Sequence, residues 1–168
     1  MKIEAVLFDM DGLMVDTESL STKALISSAK KQDYEMTKEE TLQVLGFTEA
    51  AIYKFWEDYF EDSHVDGKKL ADDHYDYIEE VLFTTGPDKM PNVEELLVYL
   101  KENNYKIAVA SSSNIDHIEN NMEKTGLRKY IDKIASGQEV SNGKPAPDVF
   151  LLAAERLGVK PENCLVLE

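Results

Sequence analysis

Asp9 and Asp11 directly follow the apolar run 6–8 in the segment "VLFDMDG", close to the start of the chain. Two carboxylates this close together repel each other unless a cation lies between them, and Mg²⁺ is commonly held by one or two carboxylates with water and a substrate phosphate. A carboxylate can also serve as a nucleophile or exchange a proton with a leaving group. Gly12 would let the backbone approach a transferred group closely. The segment therefore indicates phosphoryl-transfer chemistry, although a solvated acidic turn would have the same composition.

Three later segments also place reactive side chains directly after apolar runs. In "VASSSN" the candidates are Ser111, Ser112 and Asn114, where backbone N–H groups could face a phosphate at the start of a helix. Lys144 lies in "SNGKPAPD", and a lysine there could neutralise a phosphoryl oxygen as a point charge. Glu168 ends "CLVLE". Taken one at a time, these are also ordinary features: a serine-rich helix cap, a surface lysine and a terminal charge.

The elements that would position these residues are short apolar runs with helical patterns between them. Strands that alternate with helices indicate βαβ units and a parallel sheet, and ligands of such sheets bind beyond the carboxyl ends of the strands. All of the candidate residues follow such ends, so we predict that they share one rim of the sheet. That rim would combine acids, a hydroxyl and a lysine, as phosphoryl transfer requires. The four predicted strands are 3–8, 106–111, 133–137 and 164–168.

A long helical block interrupts this alternation after the first strand. Residues 18–83 contain no strand-like run, and Thr37 followed by Glu40 fits a capping box at a helix start. The loop "TTGPDKMPN" then leads back into the alternating pattern. We therefore predict an α/β core with an inserted helical subdomain.

The composition narrows the classes of partner. The chain of 168 residues has 18 Lys and Arg against 33 Asp and Glu, a formal net charge of −15. Such a surface repels nucleic acids and anionic lipids, so we expect neither nucleic acid nor a membrane as a partner. The single cysteine, Cys164, excludes an internal disulfide, and the N-terminus does not resemble a signal peptide. We expect a cytoplasmic protein that acts on a small phosphate ester, with a monomer favoured.

Together, "DMDGLMVDTE", "VASSSN", "GKPAPDVF" and "CLVLE" resemble the successive motifs of the haloacid dehalogenase (HAD) superfamily, in its beta-phosphoglucomutase-like phosphatase branch. The resemblance covers the whole chain. It implies an α/β fold, an HAD-like Rossmannoid parallel sheet with an inserted helical cap. The implied boundaries are a discontinuous catalytic core, 1–16 and 87–168, and a helical cap domain, 17–86.

The resemblance also implies a role for each candidate residue. Asp9 would be the nucleophile and Asp11 the general acid and base. The cofactor would be Mg²⁺, with Asp9, the backbone carbonyl of Asp11, and Glu168 as its ligands. The implied substrate- and phosphate-binding residues are Gly12, Ser111, Ser112, Asn114 and Lys144.

One departure from the family pattern concerns the last motif. In the family an acidic pair usually follows the fourth strand, and a further βα segment comes after it. This sequence ends at Glu168, the first position of that pair. We therefore expect either that the C-terminal part of the core is missing or that the metal site is one ligand short. Either would lower the activity of this 168-residue form.

A second departure bears on the choice between phosphatase and mutase. Sugar-phosphate mutases of the beta-phosphoglucomutase type carry a histidine soon after the first motif and an arginine in the cap. This chain has Ser21 and Glu49 where counting places those residues, and an acid in the cap would oppose a second substrate phosphate. The resemblance therefore favours an Mg²⁺-dependent hydrolase of a sugar or nucleoside phosphate, acting through an aspartyl-phosphate, over a mutase.

Two functions of a different class share part of the pattern. A phosphoacceptor signalling domain also combines acids, a hydroxyl and a lysine at strand ends. Its acceptor, however, follows the third strand of a domain without an inserted cap. A non-catalytic acidic interaction protein would tolerate the replacement of both Asp9 and Lys144.

Overall fold

The computed structural model describes residues 2–168, which form two compact units. The core unit runs up to Asp16 and continues through Thr85–Glu168, and the cap unit is Thr17–Thr84. None of the helices in this described part is both long and apolar enough to cross a lipid bilayer. The strands and α-helices, in chain order, are β1 (Ala5–Phe8), α1 (Thr17–Lys30), α2 (Lys38–Thr41), α3 (Glu49–Tyr59), α4 (Gly67–Thr84), α5 (Val93–Glu102), β2 (Lys106–Ser111), α6 (Ile115–Lys124), β3 (Lys133–Ser136), α7 (Asp148–Leu157) and β4 (Cys164–Leu167).

The core unit is built on a four-stranded parallel sheet with the strand order β3-β2-β1-β4. Phe8 at the end of β1 lies opposite Val109 of β2 and Leu167 of β4, and Ser111 of β2 lies opposite Ser136 of β3. The carboxyl ends of all four strands therefore meet at one rim, where open α/β sheets bind their ligands. The predicted fold class, an α/β protein with a parallel sheet, is confirmed.

The side chains of β1 alternate between two layers of helices, as the pleat of a strand requires. Val6 and Phe8 pack in the cluster that contains residues of α5 and α6, and Leu7 packs in the cluster that contains residues of α7. All three side chains are 2% exposed or less. Because both faces of the sheet are covered at β1, the sequence of this strand is continuously apolar rather than alternating.

The cap unit packs α1, α3 and α4 around Trp56, which is fully buried together with Leu25 and Leu70. The predicted capping box forms at α2: the Thr37 N–H donates to Glu40 Oε2 at 2.7 Å, and the Glu40 N–H donates to Thr37 Oγ1 at 3.3 Å. A hydrogen bond from the Tyr34 hydroxyl lowers the pKa of the Glu40 carboxyl to about 2. The Tyr59 hydroxyl donates to Glu40 as well. The Glu40 carboxylate therefore accepts hydrogen bonds from the start of α2 and from the hydroxyls of Tyr34 and Tyr59.

A partly buried serine contacts a buried histidine inside the cap unit. Ser21 Oγ and His74 Nε2 are 2.9 Å apart, and His74 is 1% exposed. Burial lowers the pKa of His74 to about 4 because desolvation disfavours the charged imidazolium. At neutral pH this histidine is therefore uncharged and adds no positive charge to the cap unit.

Candidate active site

Asp9 and Asp11 lie in the segment that leaves the carboxyl end of β1. Met10, between them, turns its side chain into the core, which leaves Asp9 half-buried and Asp11 exposed. The Asp9 N–H donates to the Leu167 carbonyl at 2.9 Å, and the Met10 N–H donates to Asp9 Oδ1 at 2.8 Å. Backbone hydrogen bonds therefore fix the position of the Asp9 carboxylate at the rim.

Gly12 begins the tight turn that follows these acids. Its N–H donates to the Val15 carbonyl at 2.9 Å, and its φ is +72°, a conformation that favours glycine. The sequence suggested glycine here because a transferred group would need close approach. The structure adds a reason that does not depend on a ligand, since the turn itself needs this backbone conformation.

Lys144 brings a positive charge to two of the predicted acids. Its Nζ lies 2.8 Å from Asp9 Oδ1 and 3.2 Å from Glu168 Oε1. The Lys144 side chain is only 15% exposed, so water screens these attractions less than at an open surface. Neither contact has the angles of a hydrogen bond, and within residues 2–168 the buried ammonium nitrogen has no hydrogen-bond acceptor.

Ser111 and Ser113 surround the second acid. Ser111 is fully buried, and its Oγ donates to Asp11 Oδ2 at 3.4 Å. Ser113 Oγ donates to the same oxygen at 3.4 Å, and the Ser113 N–H donates to Ser111 Oγ at 3.1 Å. The structure thus brings the hydroxyl predicted at the end of β2 to the acid predicted at the end of β1. The role of Ser113 was not predicted.

Ser112 and Asn114 lie in the same segment, just before α6. Ser112 is exposed. Asn114 is the N-cap of α6, and its side-chain oxygen accepts a hydrogen bond from the His117 N–H at 2.9 Å. This oxygen is therefore already engaged by the helix, and phosphate binding by Ser112 and Asn114 stays a prediction.

Two residues that the sequence places at the end of the third predicted strand, without a role, support this segment from the end of β3. Ser136 is fully buried, and its Oγ donates to the Ser113 carbonyl at 2.6 Å. A Cβ atom at Gly137 would lie 3.0 Å from Ser112 Cα and 3.4 Å from the Ser111 carbonyl oxygen. The backbone after β2 therefore packs directly on the end of β3. A Ser-Gly pair at a strand end is the only sequence signal for this contact.

Ser136 is in turn tied to α7. Its N–H donates to Glu139 Oε2 at 2.9 Å, and Arg156 contacts Glu139 Oε1 through Nη2 at 2.7 Å. The hydrogen bond from Arg156 lowers the pKa of the Glu139 carboxyl, so this acid is charged at neutral pH. A continuous set of polar contacts therefore runs from α7 through β3 to the serines beside Asp11.

Replacement of Gly137 by alanine tests this close packing. We expect Gly137→Ala to lower the free energy of unfolding by about 1–3 kcal/mol, because overpacking forces neighbouring atoms to move. Gly143→Ala is the matched control, since no atom lies within 4 Å of a Cβ built there. Urea unfolding of both variants measures the difference. Equal stability of the two variants would contradict the packing described above.

The structure brings most of the predicted site residues to one rim but does not assemble a cluster of metal ligands. Within residues 2–168, no three His, Cys, Asp or Glu side chains are grouped so that they could hold a metal ion. At this rim the Lys144 ammonium contacts both the Asp9 and the Glu168 carboxylates.

Comparison with known proteins agrees with this geometry. The family model of haloacid dehalogenase-like hydrolases matches residues 6–168. The phosphorylated carbohydrates phosphatase of Thermotoga maritima is 32% identical over 99% of this chain and 76% of its own length. A crystal structure of a candidate beta-phosphoglucomutase from Thermotoga maritima is similar at a TM-score of 0.81 with 30% identity, over 98% of this chain and 75% of that one. The crystal structure of a beta-phosphoglucomutase from Clostridium difficile is similar at a TM-score of 0.65 with 28% identity. The match covers 99% of this chain and 76% of that one.

The chain therefore belongs to the family of haloacid dehalogenase-like hydrolases. Within that family it falls in the beta-phosphoglucomutase-like phosphatase branch, and it is an enzyme, a hydrolase of phosphate esters. The resemblance inferred from the four motifs is confirmed.

Proposed function

We propose that the protein is an Mg²⁺-dependent phosphomonoesterase that works through an aspartyl-phosphate on Asp9. The observation that carries the proposal is the 2.8 Å contact between Lys144 Nζ and Asp9 Oδ1, at a lysine that is only 15% exposed. Phosphoryl transfer depends mainly on positioning and on stabilising negative charge. A shielded cation beside a carboxylate, at the same rim as the Ser111 hydroxyl, suits that chemistry.

In the first step, Asp9 attacks the phosphorus of the substrate. Oδ1 is engaged by Lys144 and by the Met10 N–H, so we assign the attack to Oδ2. As the new O–P bond forms, the bond from phosphorus to the leaving alcohol oxygen breaks, and Asp11 donates a proton to that oxygen. Ser111 and Lys144 would donate hydrogen bonds to the phosphoryl oxygens.

In the second step, water hydrolyses the aspartyl-phosphate. Asp11, now a carboxylate, accepts a proton from the water as its oxygen attacks phosphorus, and the bond to Asp9 breaks. The products are inorganic phosphate and the free Asp9 carboxylate, and Asp11 regains its proton. The Ser113 hydroxyl contacts Asp11 Oδ2 and would orient the group that transfers this proton, while the single Ser111 O–H would turn from that oxygen to the phosphoryl group.

The donor set fits Mg²⁺. Asp9 would supply a carboxylate oxygen and Asp11 its backbone carbonyl oxygen at the end of β1, and the Glu168 carboxylate contacts the ammonium that contacts Asp9. Mg²⁺ usually takes one or two protein carboxylates, with water and a substrate phosphate as the remaining ligands, so a cluster of three side chains is not required. We assign Asp9, Asp11 and Glu168 as its ligands. When bound, the ion would supply positive charge against the phosphoryl oxygens.

The substrate we propose is a small sugar phosphate, with a nucleoside phosphate as the alternative. The Thermotoga maritima relative, 32% identical, is named for phosphorylated carbohydrates. The acidic surface, with a net charge of −15, disfavours polyanionic partners. A single cysteine, Cys164, suits a cytoplasmic location.

A sugar-phosphate mutase of the beta-phosphoglucomutase type is the second candidate. It is favoured by the similarity to the two solved structures described as such mutases, at 30% and 28% identity. Glu49, in the first turn of α3, and the uncharged His74 leave less positive charge in the cap unit for a second phosphate. Product analysis with a sugar monophosphate separates the two, since only the phosphatase releases stoichiometric inorganic phosphate.

Removal of Mg²⁺ tests the proposed cofactor. We expect hydrolysis of para-nitrophenyl phosphate to fall to background after dialysis against EDTA and to return when Mg²⁺ is added, because Lys144 alone would compensate only part of the charge on the phosphoryl group. Calorimetric titration of Mg²⁺ into the wild type and into Asp9→Asn, which should bind it more weakly, gives a readout of the site that does not depend on turnover. Full activity in EDTA would contradict the assignment.

A further inference from the structure

The ring of Phe150 lies beneath the lysine of the site. Lys144 Nζ is 4.7 Å from the centroid of that ring, within the range of a cation–π contact. Phe150 is in the first turn of α7, is partly buried, and packs against the core cluster that contains Ala110 and Val149. Its position is therefore set by the core and not by Lys144.

The loop that carries Lys144 is held by its backbone and by its neighbours. The Ala146 N–H donates to the Gly143 carbonyl at 3.0 Å, and Asn142 Nδ2 donates to Asp148 Oδ1 at 2.9 Å. These contacts fix the ends of the loop, and the tip of the long lysine side chain is restrained by its ion pairs with Asp9 and Glu168. On the side that faces the core, the Lys144 ammonium contacts the face of the Phe150 ring.

A ring face holds an ammonium in a different way from an oxygen. The attraction comes from the quadrupole of the ring and does not require a directed N–H bond to an acceptor atom. This agrees with Lys144 Nζ, which is buried but has no hydrogen-bond acceptor within residues 2–168. Two of its three N–H groups face the Asp9 and Glu168 carboxylates, at 2.8 Å and 3.2 Å, which leaves one for a phosphoryl oxygen.

We propose that Phe150 is a positioning residue, whose ring holds the Lys144 ammonium beside Asp9 without using the N–H group that would bind a phosphoryl oxygen. The inference rests on the proposed function, because it assigns Lys144 to the phosphoryl group. Phe150 itself touches no reacting atom.

Substitutions that remove or keep the ring test the proposal. Phe150→Leu keeps an apolar side chain without the ring quadrupole, and Phe150→Tyr keeps the ring. We expect Phe150→Leu to raise the Kd for inorganic phosphate and to lower kcat/KM by about 3- to 30-fold, and we expect Phe150→Tyr to stay near the wild type. Leu151→Ala, at the exposed neighbouring position of α7, is the control for damage to the helix.

A double-mutant cycle separates positioning from packing. In the Lys144→Met background, Phe150→Leu should have no further effect on phosphate affinity, because the group that it positions is gone. An equal loss in both backgrounds would mean that the ring acts only by packing, and it would overturn the proposal.

Nuclear magnetic resonance reports the contact without any turnover. In protein labelled with ¹³C at lysine Cε, the Lys144 signal is assigned from its loss in Lys144→Met. We expect an upfield ring-current shift of the Lys144 ε-protons that is lost in Phe150→Leu and kept in Phe150→Tyr. Absence of this shift in the wild type would overturn the proposal. Failure of the wild type to bind phosphate while the shift is present would instead overturn the proposed function on which the inference rests.

Discussion

Asp9→Asn is expected to lower kcat by about four orders of magnitude or more, the scale of loss seen when an enzyme loses its nucleophile. An amide oxygen is a poor nucleophile for phosphorus, and the substitution also removes the charge that Lys144 contacts at 2.8 Å. The backbone that positions Asp9 does not change, since its N–H bond to the Leu167 carbonyl is independent of the side chain. The loss should therefore appear in turnover and not in the fold.

The assay for this variant is the initial rate of para-nitrophenyl phosphate hydrolysis in Mg²⁺. Asp62→Asn is the matched control, because it removes one negative charge from an exposed position of the cap unit. Thermal unfolding of Asp9→Asn shows whether the core unit remains intact. Retention of most of the wild-type rate by a folded Asp9→Asn would rule out Asp9 as the nucleophile.

Lys144→Met is expected to have the second largest effect, a loss in kcat/KM of about 10²- to 10³-fold, as for the removal of one preorganised group that stabilises transition-state charge. Methionine keeps much of the aliphatic volume but has no charge. The Asp9 and Glu168 carboxylates would then face each other without the ammonium that lies between them. Both substrate binding and turnover should suffer.

Lys144→Arg adds a sharper comparison. It keeps the charge but replaces a compact ammonium by a larger planar group, so we expect only partial recovery. Lys160→Met, at an exposed lysine of the core unit, is the control for loss of a positive charge. A kcat/KM for Lys144→Met within about threefold of the wild type would contradict the role assigned to this residue.

Much of the fold was predictable because its signals are local. The apolar run that ends at Phe8 became β1, with Asp9 and Asp11 following it. The capping box of Thr37 and Glu40 needs only residues three apart. The predicted ends of the strands were less accurate. The third strand was predicted as 133–137, but β3 ends at Ser136, and Gly137 already belongs to a 3₁₀ turn. A strand end depends on the neighbouring strand, which local patterns do not describe.

The supporting contacts of the site were not predictable, because they join residues that are distant in the chain. Ser136 reaches the Ser113 carbonyl across 23 positions, and nothing local marks that pair. The ring of Phe150 has the sequence signature of an ordinary core residue of a helix. Glu168 was expected as a metal ligand, and its contact with Lys144 at 3.2 Å depends on the register of β4 beside β1.

The central claim is that phosphoryl transfer passes through a covalent bond to Asp9, and chemical trapping tests it most directly. The protein is mixed with para-nitrophenyl phosphate and Mg²⁺, quenched within one turnover and treated with borohydride, which reduces an aspartyl-phosphate to homoserine. Peptide mass spectrometry then locates the modified residue. We expect homoserine at position 9 in the wild type and none in Asp9→Asn. Turnover without a trapped species, or homoserine only at position 11, would contradict the mechanism.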